Sequence, residues 1–335
     1  MKIPPEHELH DVLAWTLANP PVPSQPSQTT GQPQQAQTFT EQTPYVAHPS
    51  DIPPATKPLP EIWDWDRLME EADKPLPPEI LKDLLWKGCR MSVEGSSKAG
   101  KTWTLMNLGL AAVQGTSWMG INVVKPCRVL YMDFELIGRF AAHRMKMIKN
   151  ALNSGRQPNF QYWPLRGSCY EFARLKEHLL VSGRQKAYDL VIVDPYYKAA
   201  AGLDENSVAD VTLILREIEK FSEETETAIV YAHHYSKGNK SDIDAIDRGA
   251  GSGAFARDPD AKVMLTRHME KDCLTVEPMT RYATCPDSIV VETTFPTFKQ
   301  RNDLDPDDLY NPAKLEAYER KRDARKSGDS EKQPF

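Results

Sequence analysis

Compact aliphatic runs alternate along this chain with longer stretches in which apolar residues recur every three or four positions. The first pattern is that of buried strands and the second that of amphipathic helices. Cys89-Arg90-Met91-Ser92-Val93-Glu94 reads as a short strand, and Thr102 to Val113 as a mostly apolar helix close behind it. Arg128 to Glu135 is an apolar strand ending in acids, and Arg139 to Leu152 a basic helix. Tyr162 to Gly167 reads as a short strand and turn, Phe172 to Ser182 as a helix. Two strands of the buried type follow, Asp189 to Asp194 and Thr227 to His234, with a helix over Val208 to Glu223 between them. Ala261 to Arg267, Cys273 to Glu277 and Ser288 to Thr294 close the series as strands. Upstream, Pro78 to Trp86 is expected to be helical. Strands alternating with helices predict an α/β fold, a mostly parallel sheet with helices on both faces. The last strands, with no helices between them, are expected as antiparallel additions at one edge.

Composition divides the chain. Thirteen of the 27 prolines precede Glu61, and from Asn19 to Pro60 they mix with Gln, Ser and Thr. Such a segment cannot bury enough surface to offset chain entropy, so 19–60 is expected to be a disordered linker. Ahead of it, residues 1–18 hold a short amphipathic helix with Leu9, Val12, Leu13 and Leu17 on one face. Two readings stand for it: a peptide docking on a neighbouring subunit or replication partner, and a frayed end with weak helical bias. The globular domain is expected over 61–300, with a charged tail over 301–335 that becomes a solvated helix from Ala313.

Charge and cysteines exclude several classes. With 41 Lys+Arg against 47 Asp+Glu, the net charge is −6, so any nucleic-acid contact must come from local loops. Five cysteines, an odd number with no C-x-x-C pair, argue for reduced thiols rather than a disulfide framework or zinc site. No apolar run reaches membrane-spanning length, and the first residues lack a signal-peptide core, so a cytoplasmic protein without membrane contact is expected.

Gly95-Ser96-Ser97-Lys98-Ala99-Gly100-Lys101-Thr102 fits G-x-x-x-x-G-K-[ST]. Glycines let successive backbone N–H groups converge on a phosphate, the lysine supplies a cation, and the threonine hydroxyl faces magnesium. A strand before the loop and a helix after it complete the phosphate site, the helix adding its dipole. ATP and magnesium are therefore the expected cofactors. Asp194 ends an aliphatic strand, where an acid holds the magnesium shell with Thr102. Asp133 and Glu135 point to one side of a regular strand; Glu135, nearer the loop end, is read as the residue that activates water. His233 and His234 face opposite ways on their strand, which argues against zinc and suits one of them to sensing the γ-phosphate. Arg267, read from the residues alone, is a surface arginine.

Taken in order, Gly95 to Thr102, Tyr131 to Glu135, Val191 to Pro195, Tyr231 to Lys237 and Arg248 to Thr266 resemble the RecA-like ATPases of the hexameric replicative helicases, with Asp204 to Ser207, His233 to Gly238 and Asp247 to Ala261 as specific signatures. The plasmid and mobile-element RepA group is the one most similar. The resemblance spans roughly Leu81 to Met269 and implies a RecA-like P-loop core that hydrolyses ATP in a homo-oligomeric, hexameric ring acting on single-stranded DNA. It implies that Lys101 and Thr102 hold phosphate and magnesium, that Glu135 is the catalytic carboxylate and that Asp194 is the magnesium acid. It places His234 at the sensor position and Arg267 at the finger acting on an adjacent subunit. It also turns the segments after Asp194 and after His234 toward a central channel, with Lys237, Lys240 and Arg248 facing nucleic acid and Tyr196 and Tyr197 either stacking on bases or packing beneath. No primase-binding collar is recognisable. A nucleotide-switched helicase loader or regulator, or a recombination ATPase, is the alternative.

Overall fold

The computed structural model describes residues 60–96, 100–167, 172–182, 188–199, 207–234 and 258–330. The N-terminal helix and most of the linker expected from sequence lie outside these residues, as do Ser97, Lys98, Ala99, Lys237, Lys240 and Arg248. Trp65–Ala72 forms α1, with no buried residue. From Met69 onward the chain forms one unit, which holds the sheet and the site.

Pro78 to Trp86 is not helical. Glu79–Leu81 (β1) and Leu85–Trp86 (β2) pair as an antiparallel hairpin. Asp83 takes φ 55 in the link, a turn conformation a helix interior does not use. Ile80, Leu81, Leu84 and Leu85 are fully buried, and their spacing satisfies a helix as readily as this hairpin.

The main sheet has nine strands in the order β13-β12-β11-β10-β3-β9-β8-β6-β7. In chain order these are Arg90–Gly95 (β3), Val129–Asp133 (β6), Phe160–Pro164 (β7), Leu190–Asp194 (β8) and Ala228–His234 (β9). Ala261–Arg267 (β10), Cys273–Thr280 (β11), Ile289–Thr294 (β12) and Thr297–Gln300 (β13) complete it, while Ser117–Trp118 (β4) and Ile121–Asn122 (β5) form a separate small hairpin. Every pairing from β10 through β3, β9, β8 and β6 to β7 is parallel. Those among β10, β11, β12 and β13 are antiparallel. The fold is the mixed α/β architecture expected, with its antiparallel strands at one edge.

Helices cover both faces. Lys101–Gln114 (α2) and Gly138–Ala151 (α3) share one apolar cluster with Met91, Val93, Val129, Ile192 and Val230. Phe172–Val181 (α4) and Val208–Thr225 (α5) share the other with Leu130, Val191, Val193 and Ile229. The strands between are apolar throughout because both sides are covered. Gly109 lies mid-helix in α2, where glycine costs about 1 kcal/mol against alanine. A Cβ there would sit 2.8 Å from the Phe160 ring, so the missing side chain sets how closely α2 approaches β7. Ser207 caps α5, its hydroxyl accepting from the Asp210 amide at 3.3 Å.

One strand breaks the apolar rule. Arg90, Ser92 and Glu94 alternate along β3 and are all buried. Arg90 meets Asp258 at 2.7 Å, Glu219 at 3.1 Å and Asp260 at 3.5 Å. Glu94 accepts from the Ser92 hydroxyl at 2.8 Å and faces Lys262 at 3.5 Å. Alternation alone assigns such residues to solvent; paired opposite charges are what permit them inside. The Asp258-Pro259-Asp260 string is thus an anchor that fastens the chain to β3 as β10 begins.

After β13 the chain forms a short turn, Pro312–Lys314, and the helix Leu315–Ser330 (α6). Its first turns are not merely solvated: Tyr318 sits edge-on to His268 at 6.2 Å, and Arg322 lies 3.6 Å from Glu270.

Candidate active site

The strand ends carrying the chemistry adjoin one another in register: Gly95 lies beside His234, and Asp133 beside Asp194. The phosphate loop leaves β3 at Gly95 and enters α2 through Gly100, whose φ of +81 is a conformation that favours glycine. Lys101 opens α2 and is buried, donating its ammonium to the Gly95 carbonyl at 2.6 Å and the Ser96 carbonyl at 2.9 Å. Burial lowers its pKa to about 8, against the opposing pull of the Asp194, Glu135 and Glu94 charges.

Asp194 is 2% exposed and accepts from the Tyr131 hydroxyl at 2.7 Å and from the Thr102 side chain. Burial raises its pKa to about 6; the Tyr131 and Thr102 hydrogen bonds oppose this, and the Asp133 and Glu135 charges add to it. The two shifts predict a bell-shaped kcat/KM for ATP hydrolysis. Asp194 takes up a proton as pH falls through about 6, and Lys101 loses its charge as pH rises through about 8. A profile flat from about pH 5.5 to about pH 9 would contradict both assignments.

Asp133 and Glu135 take different positions. The strand ends at Asp133, whose carboxylate accepts from the Glu135 and Leu136 amides at 2.8 Å each and from the Tyr162 hydroxyl at 2.9 Å. Asp133 is therefore occupied in fixing the turn that follows. Glu135 projects from that turn, partly exposed, 3.3 Å from Lys198. A cavity of about 540 Å³ is bounded by Lys101, Thr102, Glu135, Asp194, Tyr197 and Arg144.

These residues fit a magnesium nucleotide. Two carboxylates, Glu135 and Asp194, and the Thr102 hydroxyl supply hard oxygen donors beside the buried Lys101. Among the described residues no His, Cys, Asp and Glu cluster forms an all-protein metal cage. Magnesium is commonly held by one or two carboxylates together with substrate phosphates and water.

A second cavity, about 750 Å³, adjoins the first at Gly100 and Trp103. Trp103 packs edge-on to Phe295 at 4.7 Å and carries the Arg144 guanidinium over its ring at 5.0 Å. Arg267 lines this second cavity, its guanidinium 4.6 Å from the centre of the Tyr310 ring. Register places Arg267 two residues past Leu265, the partner of Gly95, so it stands close to the phosphate loop of its own chain.

Sequence reasoning gives no role to Tyr131, Tyr162, Trp103 or Arg144, and it turns Lys198 with its segment toward a channel, whereas Lys198 lies 3.3 Å from Glu135. Tyr131 shares the strand face of Asp133, so alternation held a signal for it; Lys198 is brought in by the turn Tyr196–Ala199, which leaves none. Tyr196 is buried among Tyr231 and His233, each ring 5.7 Å away, whereas Tyr197 lines the smaller cavity. His234 closes β9 beside Gly95, and its side chain is outside the described residues.

A family model, AAA_25, described as an AAA domain, matches residues 53–240, more than half of the sequence. The chain belongs to the AAA_25 family. This AAA_25 protein is a P-loop ATPase, and the matched span includes the phosphate loop, Glu135, Asp194 and His234. No curated protein matches it. Among solved structures, one ATPase domain shares 11% identity, covering 64% of this chain and 86% of that one, with a TM-score of 0.48. The flagellar accessory protein FlaH from Methanocaldococcus jannaschii shares 13% over 64% and 90%, TM-score 0.43. The RadB recombinase shares 14% over 64% and 92%, TM-score 0.44. Among the described residues, no helix is long and apolar enough to cross a membrane.

Proposed function

We propose that this AAA_25 protein couples ATP hydrolysis to movement along single-stranded DNA, as a RepA-like helicase or translocase of a plasmid, phage or other mobile element. The observation that carries the reading is the register of β3, β8 and β9. The phosphate loop, Asp194 and His234 stand on neighbouring strand ends.

Hydrolysis assigns one task to each residue. Lys101 balances charge on the transferred phosphoryl group, helped by the N-terminus of α2. Glu135 accepts the proton of the attacking water as its oxygen bonds to the γ-phosphorus and the bond to the β–γ bridging oxygen breaks. Asp133 and Tyr162 hold the turn bearing Glu135; Tyr131 holds the Asp194 carboxylate. Thr102 and Asp194 would hold magnesium, which when bound neutralises the phosphate oxygens.

In this reading copies assemble into a ring, with His234 reporting the γ-phosphate and Lys237, Lys240 and Arg248 gripping the strand backbone. Arg267 completes the site of an adjacent copy. The test is ATP turnover with and without single-stranded DNA. The Lys240→Ala plus Arg248→Ala variant is expected to keep basal turnover and lose DNA stimulation. Unchanged stimulation removes the DNA-coupling assignment. Slow, DNA-indifferent turnover by the unaltered protein would instead favour a nucleotide-switched loader.

A further inference from the structure

Helix α3, Gly138–Ala151, carries no acidic residue, yet it presents Arg139, His143, Lys146 and Lys149 at spacings of four, three and three. That spacing sets them along one side of the helix, over about 15 Å at 1.5 Å per residue. All four are exposed, and none has an anionic partner among the described residues. Elsewhere the chain neutralises such charges locally: Lys74 meets Glu71 at 2.6 Å, Lys82 meets Glu79 at 3.5 Å and Lys220 meets Glu217 at 2.9 Å. Beside the cationic stripe, Ile137 and Phe140 are 48% and 63% exposed. A stripe of three unpaired cations and an imidazole, bordered by exposed apolar side chains, has the composition of a protein interface.

The complementary surface is in the same sequence. Beyond β13 the chain runs Asp303-Leu304-Asp305-Pro306-Asp307-Asp308. Asp303 is taken up by Arg301 at 2.7 Å, while Asp305, Asp307 and Asp308 have no cationic partner among the described residues. This acidic segment is pinned in place: the Pro306 carbonyl accepts from the Thr275 hydroxyl at 3.1 Å, and the Met269 amide donates to the Asp308 carbonyl at 2.8 Å. A cationic stripe follows the strand next to one edge of the sheet, and a fixed anionic segment follows the strand at the other.

We propose that the α3 stripe of one copy docks on the 305–308 acids of a second copy, so that complementary charge selects the self-contact. The inference rests on the self-assembly proposed above and names the surfaces that make it. A second copy suits the stripe better than a nucleic-acid backbone for two reasons. The flanking Ile137 and Phe140 call for apolar cover, and a chain of net charge −6 is attracted to a cationic patch and repels a polyanion elsewhere.

The experiment uses the full chain with a nonhydrolysable ATP analogue and magnesium, reading mass by light scattering at about 50 and about 500 mM salt. Lys146→Glu plus Lys149→Glu is one variant and Asp305→Lys plus Asp307→Lys the other. The unaltered chain is expected to assemble and to weaken at high salt. Each variant alone should dissociate at a concentration about tenfold or more higher, while an equimolar mixture of the two recovers the assembly. Both variants should retain the wild-type circular dichroism and bind the analogue. An assembled wild type that either reversal leaves unchanged, or variants that fold but do not recover on mixing, overturns the contact. Loss of single-stranded DNA binding in Lys146→Glu plus Lys149→Glu with assembly intact overturns it in favour of a nucleic-acid occupant. A wild type that stays monomeric throughout defeats the assembly reading itself, and this contact with it.

Discussion

Replacing Glu135 by glutamine is expected to slow ATP turnover by about 10²–10⁴-fold, the usual contribution of a positioned general base. Nucleotide affinity should stay within a few-fold of wild type. The amide keeps the size of the side chain but cannot take the proton of the attacking water. It also removes one of the acids that raise the pKa of Asp194, so the acid limb of any residual pH profile should move downward. Two neighbours make this substitution more informative than truncation. The backbone of the turn is held by Asp133 through the Glu135 and Leu136 amides, so the new side chain stands on the same perch. Lys198 loses a charged partner, but that pair is partly exposed and carries little stability. Single-turnover phosphate release measures the chemical step, and a fluorescent nucleotide measures binding. Equal loss of both would place Glu135 in binding rather than in water activation.

Lys101→Ala is expected to act one step earlier, weakening ATP binding by about 100-fold or more and abolishing turnover. The lysine is buried, and Asp194, Glu135 and Glu94 all act on it electrostatically. Without it, a triphosphate would enter a cavity whose nearest carboxylates repel it. The fold should tolerate the change, because the hydrogen bonds lost at Gly95 and Ser96 are to loop carbonyls and α2 is held by its apolar core. Calorimetric titration with a nonhydrolysable analogue reads the affinity, and thermal unfolding checks integrity. Retained affinity in a folded variant would remove Lys101 from the phosphate site.

Most of the strand and helix order was legible in the sequence because parallel central strands are apolar on both sides. Leu190 to Val193 and Ala228 to Ala232 leave little room for another reading. The 78–86 hairpin reads as a helix from sequence because Ile80, Leu81, Leu84 and Leu85 recur at helical spacing, and only the turn at Asp83 distinguishes it. β3 was recognised as a strand, but its buried Arg90 and Glu94 depend on Asp258 and Lys262, which lie far away in sequence. At the site, the phosphate loop announces itself locally, since its residues are contiguous. The support around it does not. Tyr131, Tyr162 and Lys198 reach the acids only through strand pairing and a turn, and alternation along a strand could not foresee that the chain leaves β6 at Asp133.

Coupling, ring assembly and each residue's task all require that ATP be hydrolysed at the Lys101–Thr102–Glu135–Asp194 cluster. The decisive assay is phosphate release from ATP by the purified full chain, with magnesium and then with a chelator. Steady release is expected, abolished by chelation and missing from Lys101→Ala. Release equal to a protein-free control, or undiminished in Lys101→Ala, would refute hydrolysis at this cluster.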